Sequence, residues 1–151
     1  MGTVRLRPAE SVADADAVGD VFLAARAGMT YLPRVHTDDE TRAHFRRSVL
    51  SGSEVTVAEQ AGRVVGFVAL RDDWVQHLYV QPEEQSRGAG TALLALAKER
   101  RPGGLRLWVF QKNAAARRFY ERHGFSLVQL TDGRDNEERV PDALYVWRGG
   151  G

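Results

Sequence analysis

No cysteine occurs anywhere in the 151 residues, which excludes disulfides, thiolate zinc ligation and a catalytic thiol. The four histidines, at 36, 44, 77 and 123, form neither an HxH nor an HExxH spacing, so no metal site is expected. No apolar run approaches the roughly 20 residues of a bilayer span, and the opening MGTVRLRPAE has no hydrophobic signal core. The expectation is a soluble cytoplasmic protein with no membrane partner. Charge of one sign is missing as well: 21 basic residues meet 20 acidic ones, for a net charge of +1. Such a balance gives little field to attract nucleic acid, so no nucleic-acid partner is expected. Only Lys98 and Lys112 among the basic residues are lysine, an arginine bias read as compositional.

What is present is the length of one domain and, at 43% apolar residues, the material for one core. A single domain over 1–148 is expected, with 149–151 a disordered glycine tail. Thr3 to Arg7 alternates as a strand that Pro8 ends. Ser11 opens a helix, with Asp14 as a weak capping partner and Val18, Val21, Phe22 and Ala25 as its apolar stripe up to Gly28. Met29 to His36, containing Pro33, reads as a loop, and Thr37 with Glu40 makes a capping box for a second helix to about Leu50. From Glu54 the period becomes that of strands, giving a hairpin with its turn at Gln60 to Arg63 and then a strand beginning at Trp74. A helix from Gly88 to about Arg101, a strand over Leu105 to Phe110, a helix over Asn113 to His123, and strands over Phe125 to Leu130 and Ala143 to Trp147 complete the chain. This order predicts an α+β domain, one mixed sheet with helices on both faces.

Two stretches carry chemistry. In WVQHLYVQPEEQSRGAGTALLALA, Trp74 to Ala97, a strand stopped by Pro82 passes through a turn holding Gly88 and Gly90 into a helix. Free backbone N–H groups and the positive end of a helix dipole then meet at one spot, an anion cradle. Leu93 stands where a dinucleotide fingerprint needs its third glycine, and no GKS or GKT follows for a P-loop. From this stretch alone, a tight turn before a helix explains the glycines equally. The second stretch is QKNAAARRFYERHGF, where Asn113, Ala116 and Tyr120 fall on one helical face. That face suits a polar ligand passing close to the backbone; the alternative is an Asn N-cap and a core Tyr with its hydroxyl satisfied.

Together and in this order, the two stretches resemble the signatures of the GNAT superfamily of acyl-CoA N-acyltransferases. The pattern Gln/Arg-x-x-Gly-x-Gly/Ala is met by Gln85, Gly88 and Gly90, and HLYVQP matches the family's fourth strand. The pattern Asn, Ala three on and Tyr seven on, ending in Gly-Phe, is met by Asn113, Ala116, Tyr120, Gly124 and Phe125. The resemblance implies a central, mostly antiparallel sheet whose fourth strand is bulged and splays from the fifth, flanked by helices. It implies acetyl-CoA as cosubstrate and transfer of the acetyl group to a primary amine, on a small molecule, by direct attack through a tetrahedral intermediate. Ser86, Arg87, Gly88, Ala89, Gly90 and Thr91 would hold the pyrophosphate, and Leu78, Tyr79 and Val80 would run beside pantetheine. The Leu78 N–H would polarise the thioester carbonyl. Asn113 would hydrogen-bond pantetheine or a water, Ala116 and Phe119 would line the cofactor, and Tyr120 would give its proton to the departing thiolate.

The family's carboxylate on the fourth strand is replaced here by Trp74. That leaves His36, His77, Glu137 or Glu138 to take the amine's proton, with strand alternation pointing His77 away from the groove. The acceptor would lie between Tyr31 to His36 and Asp132 to Asp142, with Tyr31, His36, Glu137 and Glu138 as substrate residues. The acidic residues of that last loop would suit a cationic amine. Family members are often homodimers. An acyl-CoA sensor without turnover, a protein N-terminal or lysine acetyltransferase, and a nucleic-acid-binding α/β domain are the rival classes.

Overall fold

The computed structural model describes residues 3–85 and 88–150. Ser86 and Arg87, expected in the cradle, and Gly151 of the expected tail lie outside the described residues. The elements run β1 (Arg5–Pro8), α1 (Val12–Ala27), α2 (Asp38–Leu50), β2 (Glu54–Gln60), β3 (Arg63–Arg71), β4 (Trp74–Val80), α3 (Ala89–Arg100), β5 (Leu105–Phe110), α4 (Ala114–Arg122), β6 (Ser126–Leu130) and β7 (Asp142–Trp147). The order is the expected one, and a 3-10 turn at Pro82–Glu84 fills what the sequence offered only as a polar turn.

Local chemistry explains most boundaries. Thr37 accepts from the Glu40 N–H while the Glu40 side chain accepts from the Thr37 N–H, a complete capping box. Ser11 caps α1 by accepting from the Asp14 N–H, but the Asp14 side chain does not close a box. Both of its oxygens instead accept from the Arg7 fork, each at 2.9 Å, and one also takes the Glu10 N–H at 3.0 Å. Ala61 and Gly62 both adopt positive φ, the conformation of a two-residue turn that matches strand twist, and this closes the β2–β3 hairpin.

The seven strands form one sheet in the order β1-β2-β3-β4-β5-β7-β6, antiparallel except where β4 meets β5. β3 lies deep in the sheet and is covered on both faces, which is why Val65 to Leu70 are buried without a break. On one face α1 and α2 press Val18, Val21, Phe45 and Val49 against Val55, Val57 and Phe67. On the other, α3 and α4 press Leu93, Leu94, Ala97 and Tyr120 against Leu105, Leu107, Val109 and Tyr145.

The Arg7–Asp14 contact ties β1 to the start of α1. The Arg7 fork, opposed by burial, holds the Asp14 carboxyl well below the usual carboxylate range. Because its pKa is lower in the folded state, this group stabilises the fold above about pH 4 and loses that effect as the pH falls. Asp14→Asn should therefore cost about 1–3 kcal/mol in urea unfolding at pH 7. The gap between variant and wild type should narrow steadily between pH 4 and pH 2. An unchanged gap across that range would contradict the assignment.

Candidate active site

β4 and β5 touch at one register pair, Trp74 with Arg106, and then separate. Their junction is clamped: the Arg106 N–H donates to the Asp73 carbonyl at 2.9 Å, the Arg106 fork grips the Asp73 carboxylate, and Trp74 stacks on Trp108 with Arg106 against its ring. Trp74, standing where a carboxylate would be expected, thus belongs to this clamp. Ala69 pairs with His77 but Leu70 pairs with Val75, so Gln76 is an extra residue, a bulge of the expected kind on β4.

Hydrogen-bond alternation decides what faces the gap. The Gln81 N–H donates to the Val65 carbonyl at 2.8 Å, in line with the register Gly66 to Val80. In an antiparallel ladder such pairs alternate, so Tyr79 bonds to Phe67, while Leu78 and Val80 turn their backbone groups away from β3. Those groups point into the space between β4 and β5. The Val80 carbonyl is met there by the Gln85 side chain at 3.3 Å. The same reasoning on the far side, with the Gln111 N–H on the Pro141 carbonyl, turns Trp108 and Phe110 toward the gap.

α3 begins above this opening. Gly88 is its N-cap at φ +98°, which a side chain rarely adopts, and it offers no side-chain acceptor to the helix. Among the described residues the first N–H to bond back is that of Ala92, to the Gly88 carbonyl. The N–H groups of Ala89, Gly90 and Thr91 meet no acceptor among the described residues, and the positive end of the dipole stands behind them. A Cβ at Gly90 would lie 3.5 Å from the Phe119 ring, an ordinary contact, so Gly90 sits directly against that ring. Phe119 in turn packs at a tilt against His123, whose ring nitrogen lies 3.5 Å from the Thr91 hydroxyl.

α4 supplies the floor. Asn113 is its N-cap, its side-chain oxygen accepting the Ala116 N–H at 3.1 Å, while its amide nitrogen has no acceptor among the described residues. A cleft of about 570 Å³ is lined by Leu78, Asn113, Ala116 and Tyr120 on one side and by Arg26, Phe110, Glu138 and Asp142 on the other. Tyr120 is 8% exposed, and among the described residues its hydroxyl has no hydrogen-bond partner. Burial pushes the phenol up, aided by nearby Tyr79, so it stays protonated throughout the physiological range.

The first and last loops meet. His36 contacts Glu137, and Glu138 accepts from Arg26 at 3.1 Å, so neighbouring residues of the last loop tie down the first loop and the end of α1. A second cleft, of about 930 Å³, lies under this tie, and it shares Arg26, Met29, His77 and Glu138 with the first. Alternation does send His77 and Tyr79 to the α1 side while Leu78 packs on the α3 side. His77 lines both clefts all the same, because the gap opens through the sheet. Set among the rings of Phe22, Phe45 and Phe67, its imidazole is lowered to about 4 by burial, then by His44 and Arg26. It is neutral at pH 7 and a weak base.

The acidic last loop has less free charge than its composition suggests. Asp132 pairs with Arg134, Glu137 with His36 and Glu138 with Arg26, and Asp142 accepts from Thr131 and Asn136. Among the described residues only Asp135 of that group lacks a partner. Arg26 and Asp142 were not singled out from the sequence as site residues. The signal for Arg26 was its position four residues after Phe22 on the apolar stripe of α1; its guanidinium lies 4.8 Å from that ring and 5.5 Å from Phe110.

Residues 51–127 match the family model described as acetyltransferase (GNAT) domain. The chain is 31% identical over 103 residues to the peptidyl-lysine N-acetyltransferase YiaC of Escherichia coli, covering 68% of each protein. An uncharacterized N-acetyltransferase of Methanocaldococcus jannaschii is 34% identical over 92 residues, which are 51% of this chain and 41% of that protein. The chain thus spans less than half of that longer relative. Among solved structures, yncA of Salmonella typhimurium, a putative acetyltransferase with its cofactor acetyl-CoA, superimposes with a TM-score of 0.70 at 22% identity. The superposition covers 98% of this chain and 94% of that one, and it shows a shared fold.

Proposed function

Since the chain belongs to the GNAT acetyltransferase family, we propose that it transfers an acetyl group from acetyl-CoA to the primary amine of a small molecule. The observation that carries this reading is the gap between β4 and β5, into which Leu78 and Val80 turn backbone groups that β3 does not pair, below the N-terminus of α3. The N–H groups of Ala89, Gly90 and Thr91 would take the pyrophosphate, as a helix start takes any phosphate. Pantetheine would lie along β4 in the manner of an added strand. The Asn113 amide nitrogen would reach it or a bridging water, with Phe119 against its flank.

The thioester then rests at Leu78. Attack of the neutral amine on its carbonyl carbon builds negative charge on oxygen, and the Leu78 N–H is placed to stabilise that charge. Collapse breaks the carbon–sulfur bond and leaves a thiolate, which takes the Tyr120 proton, while the proton shed by the acylated nitrogen passes through solvent and restores the phenol. A thiol of pKa about 8.5 leaves readily, and a phenol kept protonated by burial is always loaded as donor.

A small acceptor is favoured because the His36–Glu137 and Arg26–Glu138 contacts span the acceptor side and narrow it. The second reading, a lysine on a protein, rests on the similarity to YiaC. Thiol release from acetyl-CoA, followed across small primary amines and lysine peptides, separates the two. Turnover with small amines and little with peptides is expected; peptide-only turnover would reverse the assignment.

A further inference from the structure

We propose that the acceptor amine carries an uncharged hydrocarbon tail, and that the cleft beneath the tie between the first and last loops holds that tail. This inference rests on the acetyl-transfer reading and names the acceptor class. The cleft, of about 930 Å³, joins the first one at Arg26, Met29, His77 and Glu138, so a molecule lying in it reaches the space beside Leu78. Its volume is that of sites which enclose a whole small ligand, far more than the amino group of a short amine would fill. Tyr31, expected from the sequence at the acceptor, lines neither cleft; its ring packs edge-on against Phe110. The wall is made instead by its neighbours Met29, Leu32 and Val35 together with α1 and α2.

What the cleft offers a ligand follows from which of its groups are already engaged. Arg26 pairs with Glu138, Arg34 with Asp38 and His36 with Glu137, while the Glu40 carboxylate accepts the Thr37 N–H in the capping box of α2. Among the described residues, Arg47 alone of the arginines and carboxylates lining the cleft has no such partner, and it is exposed on α2. A second charge on the acceptor would therefore have to displace an existing partner or settle for one solvated arginine, and either gains little. The uncommitted surface is apolar. The rings of Phe22, Phe45 and His77 lie within 5.5 Å of one another between centroids, and His77 is neutral at pH 7. Leu23 and Leu32 are partly exposed beside them, and Val35 is 44% exposed at the rim. Covering this concave apolar wall with hydrocarbon is what the hydrophobic effect favours.

The test follows thiol release from acetyl-CoA with ethylamine, butylamine and hexylamine, and with two six-carbon amines whose far end is charged, 1,6-diaminohexane and 6-aminohexanoate. Acetyl-CoA thermal shifts are recorded on the same preparations. In wild type, kcat/KM should rise about threefold per methylene, to about 100-fold from ethylamine to hexylamine. Hexylamine should exceed both charged-end amines by about tenfold or more, since each would bring a charge against the apolar wall. Leu23→Gln and Leu32→Gln, which keep side-chain size at partly exposed positions, should each lower the hexylamine-to-ethylamine ratio by about threefold or more. A flat series in wild type would overturn the inference, and so would a ratio unchanged in both variants. Preference for 6-aminohexanoate would make Arg47 the selecting group, and preference for the diamine would make a carboxylate the selecting group; either contradicts the inference. Faster turnover of hexanoyl-CoA than of acetyl-CoA with ethylamine would put the donor's acyl chain in this cleft and overturn it as well. So would no turnover of any of these amines with the acetyl-CoA shift intact, whereas absence of that shift in wild type would overturn the acetyl-transfer reading itself.

Discussion

Leu78→Pro should slow acetyl transfer by about 100- to 1,000-fold, the effect of losing one oxyanion donor, while the protein remains folded. Proline inside a strand normally breaks a ladder bond. Here the Leu78 N–H is turned away from β3, into a gap where β5 has withdrawn, so the strand behaves as an edge on that side. The apolar ring of proline also keeps contact with the core that Leu78 partly fills. The measurement is kcat with the best acceptor, beside circular dichroism and a melt. Normal structure with normal turnover would remove the Leu78 N–H from the mechanism. Leu78→Val, which keeps the N–H, should stay within a few-fold of wild type.

Tyr120→Phe should lower kcat by about 100-fold or more, within the range for loss of a general acid, and leave acetyl-CoA binding unchanged. The hydroxyl is deep in the cleft and bonds to no other group among the described residues, so its removal breaks no internal network. The ring contacts with Phe119 and Phe125, at 5.2 and 5.5 Å between centroids, survive in the variant. Stability should therefore stay close to that of wild type, since no internal hydrogen bond is lost. Turnover within threefold of wild type would assign the thiolate's proton to solvent.

Local signals reached far into this fold because most of its elements announce their own ends. Ser11 and Thr37 as caps, Pro8 and Pro82 as stops, and Gly62 in a two-residue turn are short-range chemistry, and each stands where the sequence placed it. The side proposed for the donor is built from the same kind of short-range signal: β4, the start of α3 and α4 each lie within a run of a few residues. Two readings of Asn113 stayed open in the sequence, and the structure shows that its oxygen serves as the helix cap, with the amide nitrogen unbonded among the described residues.

The side proposed for the acceptor depends on contacts between distant residues, which no local pattern reveals. Arg26 meets Glu138 across 112 positions and His36 meets Glu137 across 101. Charge counting in the last loop suggested attraction for a cation, yet those carboxylates are largely committed to partners that only the folded chain brings near. His77 shows a related effect. Its period-2 position was read correctly, but the separation of β4 from β5 opens a passage through the sheet that brings it to the cleft wall.

The central claim is that the open N-terminus of α3 and the gap beside β4 form an acetyl-CoA site, and a thermal melt with and without acetyl-CoA tests it most directly. A ligand bound only by the native state at about 100 times its Kd should raise Tm by roughly 5–10 °C for a chain of this size. CoA alone should give a shift of similar size, because the pyrophosphate and pantetheine contacts are shared. No shift with either compound at millimolar concentration would contradict the account.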